Sequence, residues 1–273
     1  MSQYVEYGSL RFTNDFVFCH VLIENPELCK KIAELAIGRK IKEIKTPQTQ
    51  KSIKESPDGK GVRFDVVFED DESTVYDIEM QQADLHNLPQ RTRYYQSLID
   101  LDTLRAGKDY KSIKNSYIIF ICDFDPFDKG CHRYIARTSV EGFDDVSYDD
   151  GIVKVFLNSH YSDNVNDREL KEFLDYVKWG IIKEGFTTEL QDAVKRVLSD
   201  VERRAEYMFL TEKFAIYEEQ GIKQGIKQGE KQGEKKLAEL MQKLFALGRN
   251  EDAVRAASDP AFREQLYQEF AIV

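Results

Sequence analysis

The alternation of apolar and polar residues predicts two neighbouring strands in the first third of the chain. The first runs from about residue 62 to 69 and the second from about 74 to 81, and polar residues 70–73 form a turn between them. Successive side chains of a strand point to opposite faces. One face of the first strand therefore carries Arg63, Asp65, Val67 and Glu69, and the other carries Val62, Phe64, Val66 and Phe68. One face of the second strand carries Asp77, Glu79 and Gln81.

The rest of the pattern alternates helices with strands and predicts one α/β domain with an appendage. Thr13 is the predicted N-cap of a first helix. A second helix has Asn25 as N-cap, Pro26 in its first turn and Gly38 after its end. A longer helix follows Asp84. The apolar run 116–122 is typical of a central strand buried on both faces, weaker strands are predicted at 132–140 and 152–157, and residues 167–220 have a helical pattern.

A short repeat separates this domain from the C-terminal end. In residues 220–235, Gly-Ile-Lys and Gly-Glu-Lys units recur, and a glycine returns at every fourth position. One interpretation is a flexible, charged linker. The other is a helix that docks along its glycine stripe, on the core or on a second copy in a homodimer, because small residues let helices approach closely. Helical patterns on both sides favour the helix, whose lysines could contact the DNA backbone.

The composition limits where the protein acts and what its surface binds. Four cysteines without C-x-x-C spacing speak against a disulfide framework or a zinc site and favour a reducing cytoplasm. No signal peptide is visible, and no apolar run approaches the roughly 20 residues of a membrane span, so no membrane partner is expected. The net charge of −10 argues against non-specific binding of nucleic acid by the whole surface, but not against a local basic patch.

The acids of the predicted hairpin are the strongest candidates for chemistry. If the turn is centred on Glu72, Asp65 lies directly opposite Glu79, with Cβ atoms about 5 Å apart. Two carboxylates so close either share a proton or hold a cation between them. Mg²⁺ suits such a pair, because it takes oxygen ligands and commonly uses one or two carboxylates. The alternative is an ordinary solvated acidic face.

Several segments, in order along the chain, resemble a known nuclease family. They are Lys60-Gly-Val-Arg-Phe-Asp65, Val75-Tyr-Asp-Ile-Glu-Met-Gln81 and Arg91-x-Arg-Tyr-Tyr95, together with Asn14-Asp15-Phe16-x-Phe18 and Gly107-Lys-Asp-Tyr110. The combination resembles the Rpn family of recombination-promoting nucleases and transposases in the PD-(D/E)xK superfamily. The resemblance implies a restriction-endonuclease-like core, a mixed sheet flanked by helices, which cuts DNA with a divalent metal ion.

The resemblance also implies roles for single residues. Asp65 and Glu79 match the two acids of the motif, and Gln81 stands where the superfamily usually has Lys. Gln81 has no charge and can only orient water by hydrogen bonds. Asp15 would complete the metal shell, or else interacts with the dipole at the start of a helix. Arg91 and Tyr95, one helical turn apart, would lie near the scissile phosphate, and Arg63 would contact DNA or neutralise the acids.

The sequence thus predicts a metal-dependent DNA endonuclease that uses Mg²⁺, Mn²⁺ or Ca²⁺, linked to recombination, mobile elements or defence. Predicted divisions of the chain are a nuclease-like core at 1–185, a helical extension at 186–219, the repeat at 220–236 and a small helical tail at 237–273. One alternative is a weak or inactive nuclease-fold protein that acts in DNA binding or assembly. A DNA-binding regulator that reads DNA with the C-terminal helices is the other.

Overall fold

The computed structural model describes residues 6–49, 52–53, 62–104, 107–143 and 145–272. The helices in these residues are α1 Asp15–Glu24, α2 Pro26–Ile37, α3 Leu88–Thr103, α4 Arg168–Trp179, α5 Phe186–Ser199, α6 Val201–Ala246, α7 Asn250–Ser258 and α8 Pro260–Glu269. The strands are β1 Gln48–Thr49, β2 Ser52–Ile53, β3 Val62–Arg63, β4 Val66–Glu69, β5 Val75–Gln81, β6 Ser116–Cys122, β7 Arg133–Ala136 and β8 Ile152–Asn158.

A mixed sheet forms the centre of the fold. Within the described residues its strand order is β1-β4-β5-β6-β8-β7, and β2 and β3 form a separate antiparallel pair. β5, β6 and β8 run parallel to one another, whereas β4 and β7 are antiparallel to their neighbours β5 and β8. β6 lies inside the sheet and six of its side chains are buried, which confirms the prediction made from its apolar sequence.

Helices cover both faces of this sheet. On one face, Tyr95 and Leu98 of α3 pack in a single cluster with Ile118 and Phe120 of β6. Ile119, which points the other way, is also completely buried. α1 contacts β4, α2 contacts β8, and α4 and α5 pack against α2. The predicted α/β architecture, a mixed sheet flanked by helices, is therefore confirmed.

The first two helices start differently from the prediction. Asn14, not Thr13, caps α1, and its Oδ1 accepts hydrogen bonds from two N–H groups of the first turn, at 3.1 and 3.4 Å. The shift arises because Asn14 has the extended backbone that an N-cap needs. Asn25 precedes α2 as predicted, but its side-chain amide donates to the carbonyl of Val21 (2.7 Å) instead of capping. Gly38 ends α2 with a φ of 73°, as expected of glycine.

The hairpin of β4 and β5 has the predicted register. Val66 pairs with Ile78, and each further pair is likewise centred on Glu72. Continuing this register by one residue places Asp65 opposite Glu79. The predicted register is therefore confirmed for the four pairs of β4 and β5.

The predicted first strand, in contrast, is not continuous. β3 ends and β4 begins on either side of residues 64 and 65, and Asp65 lies in a bend. The bend shifts the alternation of faces, because Phe64 packs in the same cluster as Val67, beneath α3. The sequence pattern placed these two side chains on opposite faces, and that expectation is wrong. A regular period of two holds only where the backbone stays extended.

The chain divides into two compact units, 1–205 and 206–273. The first contains the sheet, and α5 belongs to it, since its Leu190 and Val194 are buried and the helix contacts α1. The predicted boundary at residue 185 lies between α4 and α5, which contact each other within this unit.

The second unit has a small core of its own. Leu240 and Leu244 near the end of α6 pack with Ala253 of α7 and Leu266 of α8. The glycine repeat is helical and belongs to α6, and a Cβ atom built on any of its four glycines would meet no atom within 4 Å. The repeat is therefore a helix and not a flexible linker, and its docking on the core or on a second copy stays a prediction. Among the described residues, no helix combines the length and apolar character needed to cross a membrane.

Candidate active site

Asp65 and Glu79 are joined by two hydrogen bonds in which each carboxylate binds the other strand. The backbone N–H of Asp65 donates to Glu79 Oε1 (2.9 Å), and the N–H of Met80 donates to Asp65 Oδ2 (3.1 Å). The two carboxylates thus accept hydrogen bonds from N–H groups that would otherwise donate to backbone carbonyl groups of the neighbouring strand. This replacement accounts for the bend at Asp65. Both acids are fixed by this exchange at the point where the hairpin opens.

A third acid, Asp77, lies on the same strand face as Glu79. Its side chain is 0 % exposed. Among the described residues, no N–H or hydroxyl group donates to its carboxylate oxygens, and its polar neighbour is the carboxyl group of Glu79. Burial, and then repulsion from Glu79 and Asp65, raises the pKa of Asp77 well above the usual range of an aspartate. Asp77 therefore depends on the carboxyl group of Glu79 as its hydrogen-bond partner, directly beside the two predicted acids.

The sequence analysis missed Asp77 as a site residue, although one signal for it was present. Asp77 stands two residues before Glu79 and therefore shares its face. What the pattern could not show is that α3 covers this face, which turns an acid of ordinary appearance into a completely buried one.

Glu79 is nearly as buried as Asp77, with 1 % of it exposed. Burial, and then repulsion from Asp65, raises the pKa of Glu79 to about 8. The Asp65 N–H and the guanidinium of Arg91, whose Nη2 lies 3.6 Å from Glu79 Oε2, act in the opposite direction. Acidic groups therefore outnumber the positive charge beside them, so these acids either share protons or bind a cation.

Arg91 connects α3 to the end of β5. Its Nη1 donates to Gln81 Oε1, and its Nη2 donates to Tyr95 Oη at 3.0 Å. The guanidinium also lies over the rings of Tyr95 and Phe120, 5.5 Å from each centroid. Gln81 Nε2 donates to the carbonyl of Met80 (2.9 Å), so both ends of the amide are held. The structure thus brings Glu79, Gln81, Arg91 and Tyr95 together at one place.

Asp15 and Arg63 are the two remaining residues that the sequence proposed. Asp15 is exposed in the first turn of α1. Cys19, one turn further on the same helix face, has its Sγ 3.6 Å from the carbonyl oxygen of Asp65. This contact brings α1 against the hairpin, one helical turn from Asp15. The side chain of Arg63 lies outside the described part of the chain.

The donor set suits a hard divalent cation. Carboxylate oxygens are the protein ligands that Mg²⁺, Mn²⁺ and Ca²⁺ prefer, and a cation would relieve the repulsion that raises the pKa of Glu79. Asp77 adds a third carboxyl group, which adjoins that of Glu79. In the described part of the chain, no group of three or more His, Cys, Asp or Glu side chains is placed so that it could hold a metal ion. Asp65 and Glu79 have the donor chemistry that such an ion prefers, and water or substrate oxygens would have to supply the remaining positions.

Comparison with known proteins agrees with this arrangement. No curated protein and no solved structure matches the chain. The family model described as PD-(D/E)XK nuclease family transposase matches residues 13–224, which include the sheet, its flanking helices and the acids of the hairpin. The chain therefore belongs to the PD-(D/E)XK nuclease family transposases, and its mixed sheet flanked by helices is consistent with their restriction-endonuclease-like fold.

Proposed function

We propose that this protein is a divalent-metal-dependent DNA endonuclease. The observation that carries the proposal is the pair Asp65 and Glu79, held opposite each other by reciprocal hydrogen bonds with too little positive charge around them. A protein gains no stability from burying such a pair, so a bound cation is the simplest reason for it. DNA is the proposed substrate, in line with the nuclease family to which the chain belongs.

Asp65 and Glu79 would hold the ion, with Asp15 as a further ligand on the neighbouring turn of α1. A divalent ion bound there lowers the pKa of a bound water and stabilises charge on the phosphate. The chain itself contributes the fixed geometry. Because each carboxylate keeps one oxygen on a backbone N–H of the other strand, neither can rotate away from the site.

Arg91 supplies the positive charge that Gln81 lacks. In the superfamily pattern a Lys stands at the position of Gln81, and in this chain the guanidinium of Arg91 binds the amide of Gln81 directly. Its contacts with Tyr95 and Gln81 hold the charge beside Glu79. Arg91 would therefore stabilise negative charge that develops on the phosphate, while the amide of Gln81 orients the attacking water by hydrogen bonding.

The test is nicking of supercoiled plasmid by the full-length protein, with and without EDTA. Mg²⁺, Mn²⁺ and Ca²⁺ should be compared. Wild type should nick only with a divalent ion, and Asp65→Asn and Glu79→Gln should abolish nicking while both remain folded. Glu189→Ala, which removes an exposed acid on α5, is the control and should cut like wild type. Cleavage in EDTA, or undiminished cleavage by both acid variants, would refute the proposal.

A catalytically weak or inactive nuclease-fold protein is the second candidate. The observation that favours it is Gln81 at the usual Lys position, because an amide has no charge of its own. Plasmid that is bound but never cut with any of the three ions would support this candidate. The cytoplasm stays the predicted location, and the four cysteines are free thiols, as a reducing compartment would keep them.

A further inference from the structure

The carboxyl ends of three parallel strands meet next to Gln81. Gln81 ends β5 and pairs with Cys122 of β6, which in turn pairs with Asn158 of β8. The backbone N–H of Asp123 donates to the carbonyl of Gln81 at 2.8 Å. The loops that follow β6 and β8 therefore begin directly beside the candidate active site.

A polar cluster occupies the start of these two loops. Ser159 is 1 % exposed and its Oγ donates to Asp123 Oδ1 (3.1 Å). His160 Nε2 lies 3.3 Å from the same oxygen. The backbone N–H of Ser159 donates to the carbonyl of Cys122 (3.0 Å), which fixes the cluster to the sheet. Asp123 thus holds an imidazole at the edge of the site.

The loop around His160 is anchored without help from that imidazole. The N–H of His160 donates to Asn158 Oδ1 (2.7 Å), and Tyr161 Oη donates to Asp175 Oδ1 of α4 (2.8 Å). The N–H of Ser162 donates to the carbonyl of Gly130 (2.8 Å). The His160 side chain itself stays 44 % exposed. The contact between His160 and Asp123 is therefore not needed to hold the loop in place.

We infer that His160 contacts a backbone phosphate of the DNA that flanks the one to be cut, and that Asp123 is its positioning residue. The inference rests on the proposed nuclease function. An imidazolium donates from both ring nitrogens, so Nε2–H serves Asp123 and Nδ1–H is left for a phosphate oxygen. β8 lies two strand spacings from β5, roughly 10 Å, which is too far for a hydrogen bond to the phosphate held at Gln81 and Arg91.

The charge of the whole chain makes such a contact valuable. A net charge of −10 repels DNA at long range, so binding depends on cations placed locally at the site. Arg91 provides one beside Gln81, and a protonated His160 would provide a second further along the same edge of the sheet. Two such contacts, one from α3 and one from the loop after β8, would set the direction in which the DNA backbone crosses the site.

Binding should be measured on the full-length chain in an Asp65→Asn background, by fluorescence anisotropy of a short labelled DNA duplex at several KCl concentrations. His160→Ala should weaken binding about fivefold and reduce the slope of log Kd against log salt by about 0.9, the value expected for one lost phosphate contact. His160→Lys should restore both, because an ammonium also binds phosphate. In the cleaving protein, His160→Ala should raise KM and leave kcat nearly unchanged.

His132→Ala is the matched control, because His132 also pairs with an aspartate, Asp163, at 2.6 Å. It should leave the salt slope unchanged. Unchanged affinity and slope in His160→Ala, or a loss that His160→Lys does not restore, would overturn the inference. So would a fall in kcat without a change in KM. DNA that is bound with the expected slope but never cut would refute the nuclease proposal and leave the phosphate contact standing.

Discussion

Glu79→Gln should stabilise the metal-free protein at neutral pH. In the folded chain, burial and Asp65 raise the pKa of Glu79 to about 8, against an ordinary value of 4.5. An acid whose pKa is raised by folding costs stability as the pH rises from the unfolded value towards the folded one. At pH 7, which lies 2.5 pH units above 4.5, this cost in free energy of folding is about 3 kcal/mol, whereas at pH 5 it is under about 1 kcal/mol.

The substitution removes this cost and keeps the geometry, since the Gln oxygen can still accept from the N–H of Asp65. For a unit of this size, about 3 kcal/mol corresponds to a rise in Tm of roughly 6 to 12 °C. The assay is thermal unfolding in EDTA, followed by circular dichroism at pH 5 and pH 7. The rise in Tm of the variant over wild type should be large at pH 7 and small at pH 5.

Glu69→Gln, on the neighbouring strand β4, is a control for which the opposite change in Tm is expected. Burial acts to raise the pKa of Glu69, but Lys114 and Lys45, at 2.5 and 2.7 Å, outweigh it and lower that pKa. Removing this carboxylate should therefore lower Tm at pH 7. The reasoning about Glu79 is refuted if Glu79→Gln melts at or below the wild-type temperature at pH 7, or gains as much at pH 5.

Further predictions concern the ion, the polar groups and the repeat. Adding Mg²⁺, Mn²⁺ or Ca²⁺ should raise the wild-type Tm, measured by scanning fluorimetry, and raise that of Asp65→Asn less; an equal shift in both places the ion elsewhere. Gln81→Ala should lower the rate of plasmid nicking at least about tenfold, and Gln81→Lys should keep or increase it; an unchanged rate in the Ala variant would mean that the amide only packs. Arg91→Ala should lower the same rate by at least about tenfold, and Arg91→Lys should recover only part of it, because an ammonium cannot reproduce the fork that binds Gln81 and Tyr95. If the chain forms a homodimer through the glycine stripe of α6, Gly225→Leu with Gly229→Leu should reduce the dimer seen by light scattering, and the matched pair of Gly→Ala changes should reduce it less; identical masses for all variants would exclude that interface.

Local patterns were sufficient for those parts of the site that depend on neighbours in sequence. A polar turn centred on Glu72 defines the register, so the opposition of residues 65 and 79 follows from counting. Arg91 and Tyr95 share a helix face because four residues make about one turn.

The pattern of apolar and polar residues could not predict contacts between distant parts of the chain. Asp77 is buried because α3, which begins at Leu88, folds back over its strand. The bend at Asp65 arises from an exchange of side-chain and backbone bonds between two strands, which alternation alone cannot register. The pairing of Asp123 with His160 depends on β6 and β8 lying side by side, and these two strands are far apart in sequence.

The order of strands in the sheet has a consequence for folding kinetics. β4 and β5 are adjacent in the chain and can close as a hairpin within microseconds, whereas β6 must cross over through α3 before Glu79 pairs with Phe120. Asp65 and Glu79 can therefore meet while water still surrounds them, and the late docking of α3 and β6 is the step that desolvates the acids. We expect refolding to accelerate at mildly acidic pH or with divalent ions present, because either condition neutralises the charge that this step has to bury.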